Sequence, residues 1–159
     1  MESVAWSAVL IASAAASTSA PRLRTEFLPD GGHGVVASAV WHVSARGVVE
    51  AHLGGRPVSE DVLTPGFSSY EWRLRYRTYD VAELLAGPVG TGESVVLGLQ
   101  LGHGWYSGRQ AWTGERGVYG DRPAAIAQLE ITYADGHRQV VATDASWTAG
   151  PSPVQADDL

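Results

Sequence analysis

Short stretches in which apolar and polar residues alternate recur along this chain, and Gly, Pro or Asp separates each stretch from the next. The clearest are Val48–Leu53, Glu93–Leu101 and Ala124–Tyr133. A period of two places successive side chains on opposite faces of a β-strand. Because 19 glycines and 8 prolines supply turns among 159 residues, the pattern predicts an all-β fold, specifically an antiparallel β-sandwich.

Turn residues between these stretches predict two hairpins. Val35–Ala45 and Val48–Leu53 flank Arg46-Gly47, and Ala124–Tyr133 and Arg138–Thr143 flank residues 134–137. A short polar or glycine-containing connection between alternating runs is the usual hairpin signal. Arg22–Phe27 is predicted to be the first strand, and Val95, Leu97, Leu99 and Leu101 are predicted to point inward.

The stretch Glu71–Tyr79 predicts a further strand with one face toward the core and one face exposed to solvent. Trp72, Leu74, Tyr76 and Thr78 share the predicted core face, and arginines dominate the other. Asp80 and Glu83 then have the spacing of a capping box, which predicts one short helical turn over Val81–Leu85. Gly87-Pro88 is predicted to end that turn.

The chain length predicts one domain, since 159 residues bury enough surface for a single core. We expect residues 1–20 to lead into a β-sandwich module over residues 21–159. The apolar run Ala8–Ala20 resembles a signal peptide, but no Arg or Lys precedes it and Glu2 is its charged neighbour. An uncleaved segment is favoured, a signal peptide is the alternative, and the compartment, cytoplasmic or secreted, stays open.

Composition excludes several kinds of chemistry. All 11 basic residues are arginines, and the sequence contains neither Cys nor Asn. A P-loop lysine, a Schiff base, a thiol nucleophile and a disulfide framework are therefore ruled out. The net charge of −6 argues against nucleic acid and anionic membrane partners, which recruit clustered cations.

The most unusual segment is the glycine-rich stretch of residues 102–122, hereafter loop 102–122. It combines aromatic rings with planar polar side chains, a mixture that suits a sugar because a pyranose has an apolar C–H face and a rim of hydroxyls. The candidate carbohydrate-binding residues are His103, Trp105, Tyr106, Arg109, Trp112 and Asp121. In the alternative interpretation, Trp105 and Tyr119 close one end of the core.

Metal and catalytic motifs are weak. The five histidines are scattered, so no metal site and no cofactor is predicted, although the loop carboxylates Glu115 and Asp121 leave calcium open. A hydrolase needs two opposed carboxylates or a Ser/His/acid set. Asp80, Asp135 and Asp144 are instead predicted to be cap, turn and strand-end residues, so no catalytic residue is assigned.

Eight motifs together resemble the N-terminal β-sandwich module of bacterial α-L-rhamnosidases of glycoside hydrolase family 78. The resemblance runs from about Pro21 to Pro153, and its motifs are Glu50–Val58, Leu63–Tyr70, Tyr76–Val81, Gly92–Ser94, Leu101–Gly108, Tyr119–Pro123, Tyr133–Gly136 and Thr143–Trp147.

This resemblance implies a jelly-roll fold like that of galactose-binding domains and an accessory, non-catalytic role. The catalytic helical barrel, which this chain does not include, would be a partner, and a glycoside containing L-rhamnose would be the ligand. The alternative is a purely structural module that docks on the catalytic domain. Family members often have Asn where Gly54 stands and Asp or Asn where His103 stands. Both changes remove oxygen ligands, so either weakened calcium dependence or no sugar binding at all is expected.

Overall fold

The chain folds into two antiparallel β-sheets packed face to face, as a computed structural model of residues 4–14, 20–110, 112, 114–154 and 157 shows. The first sheet contains β1 (Ile11–Ala12), β3 (Val36–Arg46), β6 (Tyr76–Asp80), β8 (Ala124–Tyr133) and β9 (Arg138–Ala142). The second contains β2 (Pro21–Phe27), β4 (Val48–Leu53), β5 (Arg56–Pro57), β7 (Val95–Gly102) and β10 (Thr148–Pro151). The predicted antiparallel sandwich is confirmed.

Neighbouring strands in each sheet come from distant parts of the sequence. In the first sheet β8 and β3 are central, β6 lies outside β3, and β1 and β9 pair with the other side of β8. The second sheet has the order β10-β2-β7-β4-β5. The helices α1 (Ala82–Thr91) and α2 (Gly104–Ser107) connect strands of the two sheets.

The core forms where the inward faces of the two sheets meet. Val95, Leu97, Leu99 and Leu101 of β7 are each at most 2% exposed, as the alternation predicts. They belong to the same apolar cluster as Trp41, Val43, Leu129 and Ile131 of the first sheet. Burying each such side chain contributes roughly 1.5–3 kcal/mol, so this layer stabilises the sandwich.

One predicted hairpin is confirmed and the other is wrong. β8 and β9 pair directly, with Thr132 opposite Arg138. β3 and β4 lie in different sheets, so the chain crosses between sheets at Gly47. This residue has φ of 111°, and a Cβ atom there would lie 2.3 Å from the carbonyl oxygen of Gly102. Glycine is required because the crossing is tight and uses a backbone conformation that other residues avoid.

The prediction for Glu71–Tyr79 is wrong in both extent and orientation. The backbone amides of Trp72 and Arg73 donate to the carbonyl of Ser69 in a turn, and β6 begins only at Tyr76. Trp72 is 88% exposed. Tyr79 lies opposite the buried Trp41 and packs on the core. Within β6, Arg77 therefore lies on the same face as Tyr79, opposite the buried Val43. All three arginines of the stretch are nevertheless exposed, as predicted.

Helix α1 is longer than the predicted single turn. The carboxylate of Asp80 accepts a hydrogen bond from the Ala82 amide at 3.1 Å. The N-cap is Val81, however, and no side-chain capping bond is present, so the predicted capping box of Asp80 and Glu83 is not formed. The helix continues through Pro88, so the predicted end at Gly87-Pro88 is wrong. The fixed φ of proline is compatible with a helix, although Pro88 lacks the amide that would donate within it. It ends at Gly92, which is left-handed with φ of 68°.

The described part of the N-terminal segment belongs to the first sheet. Ile11 and Ala12 pair with Ala125 and Ala124. The Ser7 amide donates to the Gln128 side chain at 2.7 Å, and Trp6 makes edge-on ring contacts with His42 and Tyr76. Within the part of the chain that the structure describes, no helix is both long and apolar enough to cross a membrane.

Candidate functional site

Loop 102–122 leaves the second sheet at the end of β7 and returns to the first sheet at β8. It opens with α2, which lies close against the start of β4. A Cβ at Gly104 would lie 2.9 Å from a methyl of Val48, and Gly104 has φ of 47°. The glycine therefore lets α2 approach β4, which places Trp105 and Tyr106 at this end of the sandwich.

Five aromatic side chains, Phe67, Tyr70, Trp105, Tyr106 and Tyr119, form what we call the aromatic cluster. Tyr70 contacts Tyr106 and Tyr119 at ring-centre distances of 5.2 and 5.1 Å. Phe67 lies edge-on to Trp105 at 6.4 Å. Such edge-on and tilted contacts are favourable between aromatic rings. The cluster thus joins loop 102–122 to the loop that precedes β6.

Tyr106 is a packing residue of this cluster. It is 8% exposed, and the Arg46 guanidinium lies 5.7 Å from its ring centre. A Cβ at Gly120 would lie 2.3 Å from the Tyr106 hydroxyl oxygen. The backbone of residue 120 therefore covers the end of the Tyr106 side chain.

His103 is also buried, at 6% exposure. Its Nδ1 lies 2.6 Å from one carboxylate oxygen of Asp157, and its backbone amide donates to the other at 2.6 Å. The His103 side chain is thus directed to Asp157 and held within the fold. These two bonds hold Asp157 at the start of the loop.

Arg109, Trp112 and Asp121 are exposed. Arg109 pairs with Arg116 in an isolated β-bridge, and the Gln110 amide donates to the Glu115 carbonyl at 2.8 Å. Trp112 lies at the tip of this small hairpin and is 100% exposed. Asp121 is also exposed, with its carboxylate 3.8 Å from the Arg122 guanidinium.

The six candidates therefore differ in their exposure. His103 and Tyr106 are buried, Trp105 is half-buried, and the exposed ones are Arg109, Trp112 and Asp121. Among the described residues, ring contacts join Trp105 to the aromatic cluster, while none is found for Trp112.

Sequence reasoning missed Phe67 and Tyr70 as neighbours of this loop. Their loop is fastened to β4, because the Thr64 hydroxyl donates to the Val49 carbonyl and the Val49 amide donates to the Thr64 carbonyl. Burial, with the nearby Tyr119 as a second cause, raises the pKa of the Tyr70 phenol. In the sequence, Leu63–Tyr70 is recognisable only as a motif of the family resemblance, and nothing local in the sequence shows that Phe67 and Tyr70 contact loop 102–122.

Residues 34–159 match the sequence profile described as the alpha-L-rhamnosidase N-terminal domain. The chain belongs to this family. The α-L-rhamnosidases of Streptomyces avermitilis and of Alteromonas sp. strain LOR are 39% and 38% identical to it, over 90% and 82% of the chain. The chain spans 13% of the length of each of these relatives.

Solved structures agree with this membership. The S. avermitilis α-L-rhamnosidase, in a structure described as complexed with L-rhamnose, has a TM-score of 0.79 at 37% identity, over 89% of this chain and 13% of that one. The native Aspergillus terreus α-L-rhamnosidase has a TM-score of 0.82 at 30% identity, over 96% of this chain and 18% of that one.

In this α-L-rhamnosidase N-terminal domain, several carboxylates have local backbone roles. Asp135 accepts from the His137 amide at 2.9 Å and Asp144 from the Ser146 amide at 2.8 Å. The His137 amide, followed by the His33 side chain, lowers the pKa of Asp135. The Ser146 hydroxyl, followed by the Ser146 amide, lowers the pKa of Asp144. These bonds confirm the predicted turn role of Asp135 and strand-end role of Asp144.

Among the described residues of this domain, no group of three or more His, Asp or Glu side chains is placed to hold a metal ion. Position 103, where the resemblance implies an oxygen ligand, is a buried histidine bound to Asp157.

Proposed function

We propose that this chain is an accessory, non-catalytic module of an α-L-rhamnosidase that recognises carbohydrate through loop 102–122. The observation that carries the proposal is Trp112, fully exposed at the tip of a small hairpin. Indole is a costly side chain to leave in water, since burying a large aromatic ring contributes several kcal/mol at protein interfaces. A fully exposed Trp on a bridged loop is therefore suited to stack on a ligand ring.

The exposed loop residues supply both halves of sugar recognition. Trp112 and the half-buried Trp105 offer ring faces for the C–H face of a pyranose, and Arg109 and Asp121 offer a donor and an acceptor for its hydroxyls. The buried side chains of Tyr106 and His103 anchor the loop to the rest of the domain. L-Rhamnose is the first ligand to test because of the chain's family and because the similar S. avermitilis structure is described as a complex with it.

The test is a calorimetric and NMR titration of the 159-residue chain with L-rhamnose, run once with calcium and once with a chelator. We expect saturable, weak binding that is the same in both arms, because His103 is engaged with Asp157. Binding lost only in the chelator arm would contradict the metal-free site, and no binding at millimolar sugar in either arm would contradict sugar recognition by this chain.

Two tryptophan variants locate the site. Trp112→Ala should remove L-rhamnose binding with no change in thermal stability, because the side chain is fully exposed. Trp72→Ala is the matched control, since it deletes an 88% exposed indole from a different turn. Trp105→Ala should also weaken binding. A large loss of thermal stability in that variant would indicate that Trp105 acts mainly in packing.

A second candidate function is docking on the catalytic domain without sugar binding. Apolar residues exposed in the loop before β6 favour it: Val62 is 78%, Leu63 60% and Trp72 88% exposed. Contiguous exposed apolar surface is typical of interfaces. This alternative predicts self-association of the isolated chain, measured by analytical ultracentrifugation, that Trp72→Ala reduces.

The non-catalytic part of the proposal has its own assay. The isolated chain should release no nitrophenol from p-nitrophenyl α-L-rhamnoside, because the hydrolysis needs two opposed carboxylates in one cleft. Turnover by the purified chain, retained through an additional purification step, would contradict it.

A further inference from the structure

A hollow of about 530 Å³ opens on the outer face of the second sheet, on the side away from the core. Its lining comes from β2, β4, β7, β10 and the turn after β4, and includes no residue of loop 102–122. The strand register explains its shape. Thr148, Arg24, Gly98 and His52 lie side by side across four strands. Gly98 lies inside this row, and because glycine has no side chain the surface of the sheet is hollow at that position.

Gly98 is not required by the fold. Its φ lies outside the left-handed range, and a Cβ there would make ordinary contacts, 3.7 Å from the His52 Cβ and 3.9 Å from the His52 carbonyl oxygen. Glycine inside a strand costs about 0.5–1 kcal/mol relative to alanine. An interior strand glycine that neither backbone geometry nor packing demands is typical of a position where a ligand approaches the backbone closely.

The walls of the hollow are cationic and polar. Arg22 and Arg24 project from β2, and both are exposed. The Arg22 Nε donates to the Gln100 side chain at 3.1 Å, and Arg24 forms an exposed ion pair with Glu26, just outside the lining, at 3.3 Å. Each contact uses only part of a guanidinium that has five N–H donors. The lining residues, all within the described part of the chain, include no Asp or Glu, although the whole chain carries a net charge of −6.

We propose that this hollow is a second saccharide site, and that its ligand is an oligosaccharide bearing a carboxylate, as a uronic acid residue does. The guanidinium fork matches the two oxygens of a carboxylate. The open backbone at Gly98 and the side chain of Val96 give a pyranose ring a flat apolar floor, while Gln100 and Thr148 offer partners for hydroxyls. The site is independent of L-rhamnose binding by loop 102–122.

A saccharide is favoured over an acidic peptide because of where the hollow lies. Peptides that bind sheets commonly add a strand at an unpaired edge. Here the hollow is on the face of the sheet, over β2 and β7, and each of these strands has a neighbour on both sides. Their backbone groups are thus already engaged, which leaves ring stacking and side-chain hydrogen bonds as the available contacts.

The test is a titration of the 159-residue chain with trigalacturonate, with a neutral trisaccharide and hexaglutamate as comparison ligands. Trigalacturonate should bind saturably and more weakly as salt rises, since exposed charges are screened. Arg22→Ala and Arg24→Ala should each weaken binding about tenfold, the effect of one charge-assisted hydrogen bond. Gly98→Val should abolish binding while leaving thermal stability unchanged or higher.

The control variant is Arg138→Ala. It removes an exposed arginine that pairs with Glu130 at 2.8 Å on the other sheet, so it should bind trigalacturonate like the wild type. No trigalacturonate binding, equal binding of the neutral trisaccharide, equal or tighter binding of hexaglutamate, or binding unaffected by Gly98→Val would each overturn the proposal. L-Rhamnose binding without trigalacturonate binding would overturn this inference alone. Trigalacturonate binding without L-rhamnose binding would overturn sugar recognition at loop 102–122 alone.

Discussion

Replacing Gly47 by alanine should be among the most damaging small substitutions in this domain. Gly47 has φ of 111°, a conformation that costs an L-residue about 1–3 kcal/mol. The new Cβ would lie 2.3 Å from the Gly102 carbonyl oxygen and 3.2 Å from that of His103. Both neighbours are backbone atoms, so relief requires a shift of the sheet crossing, which costs about 1–3 kcal/mol more.

The expected loss for Gly47→Ala is therefore about 4 kcal/mol out of a total stability of about 5–15 kcal/mol. It corresponds to a fall of about 8–16 °C in the midpoint of thermal unfolding for a domain of this size. Urea unfolding followed by tryptophan fluorescence measures it as a lower midpoint with an unchanged slope.

Gly54→Ala is the matched control for this experiment. Gly54 has φ of 57°, and a Cβ there would meet nothing within 4 Å. The substitution carries only the conformational cost of about 1–2 kcal/mol. A Gly47→Ala loss no larger than that of Gly54→Ala would refute the argument, because the close approach at the crossing would then contribute nothing.

Three further predictions concern single side chains. Asp157→Ala should lower the free energy of unfolding by about 2 kcal/mol in a thermal melt, because it removes two hydrogen bonds from His103, whereas the exposed Asp121→Ala should have no measurable effect. Burial lowers the pKa of His42, with Glu130 opposing it, so an NMR titration of its ring should give a midpoint below 6.5. The stability that neutral His42 contributes to the folded state is complete above pH 6.5 and is lost as the pH falls through the pKa of His42 in the folded state. Hydrogen bonds from His137 and His33 lower the pKa of Asp135. The carboxyl carbon of Asp135 should titrate with a midpoint below 3.8. The contribution of Asp135 to folding stability is present above that pH and is lost as the pH falls through the pKa of the folded state. A midpoint at or above 3.8 would contradict the turn geometry.

Local alternation identified strands well where one face is fully apolar. β7 has Leu or Val at every second position, so both its extent and its inward face were predictable. The β8–β9 hairpin was predictable because Asp135 and Gly136 are strong turn residues. The extent and inward face of β6, the strand before α1, were not predictable. Aromatic residues occur in and just before β6 at both even and odd positions, Trp72 and Tyr76 at even ones and Tyr79 at an odd one.

These local patterns could not predict which sheet each strand joins. Arg46-Gly47 has the composition of a hairpin turn, but whether two strands pair or enter opposite sheets depends on the rest of the fold. The same limit applies to the candidate site. The loop 102–122 was recognisable from its composition, whereas the burial of His103 depends on Asp157, which is distant in sequence.

The Gly47 crossing also determines when this domain can form during synthesis. Because β3 and β4 separate into different sheets, each needs a partner made much later: Val40 pairs with Glu130, and Glu50 pairs with Gln100. Topologies dominated by such distant pairings fold slowly. A nascent chain that has emerged only as far as α1 therefore exposes two apolar strands with incomplete sheets around them. This is the form in which we expect the domain to aggregate or to require a chaperone.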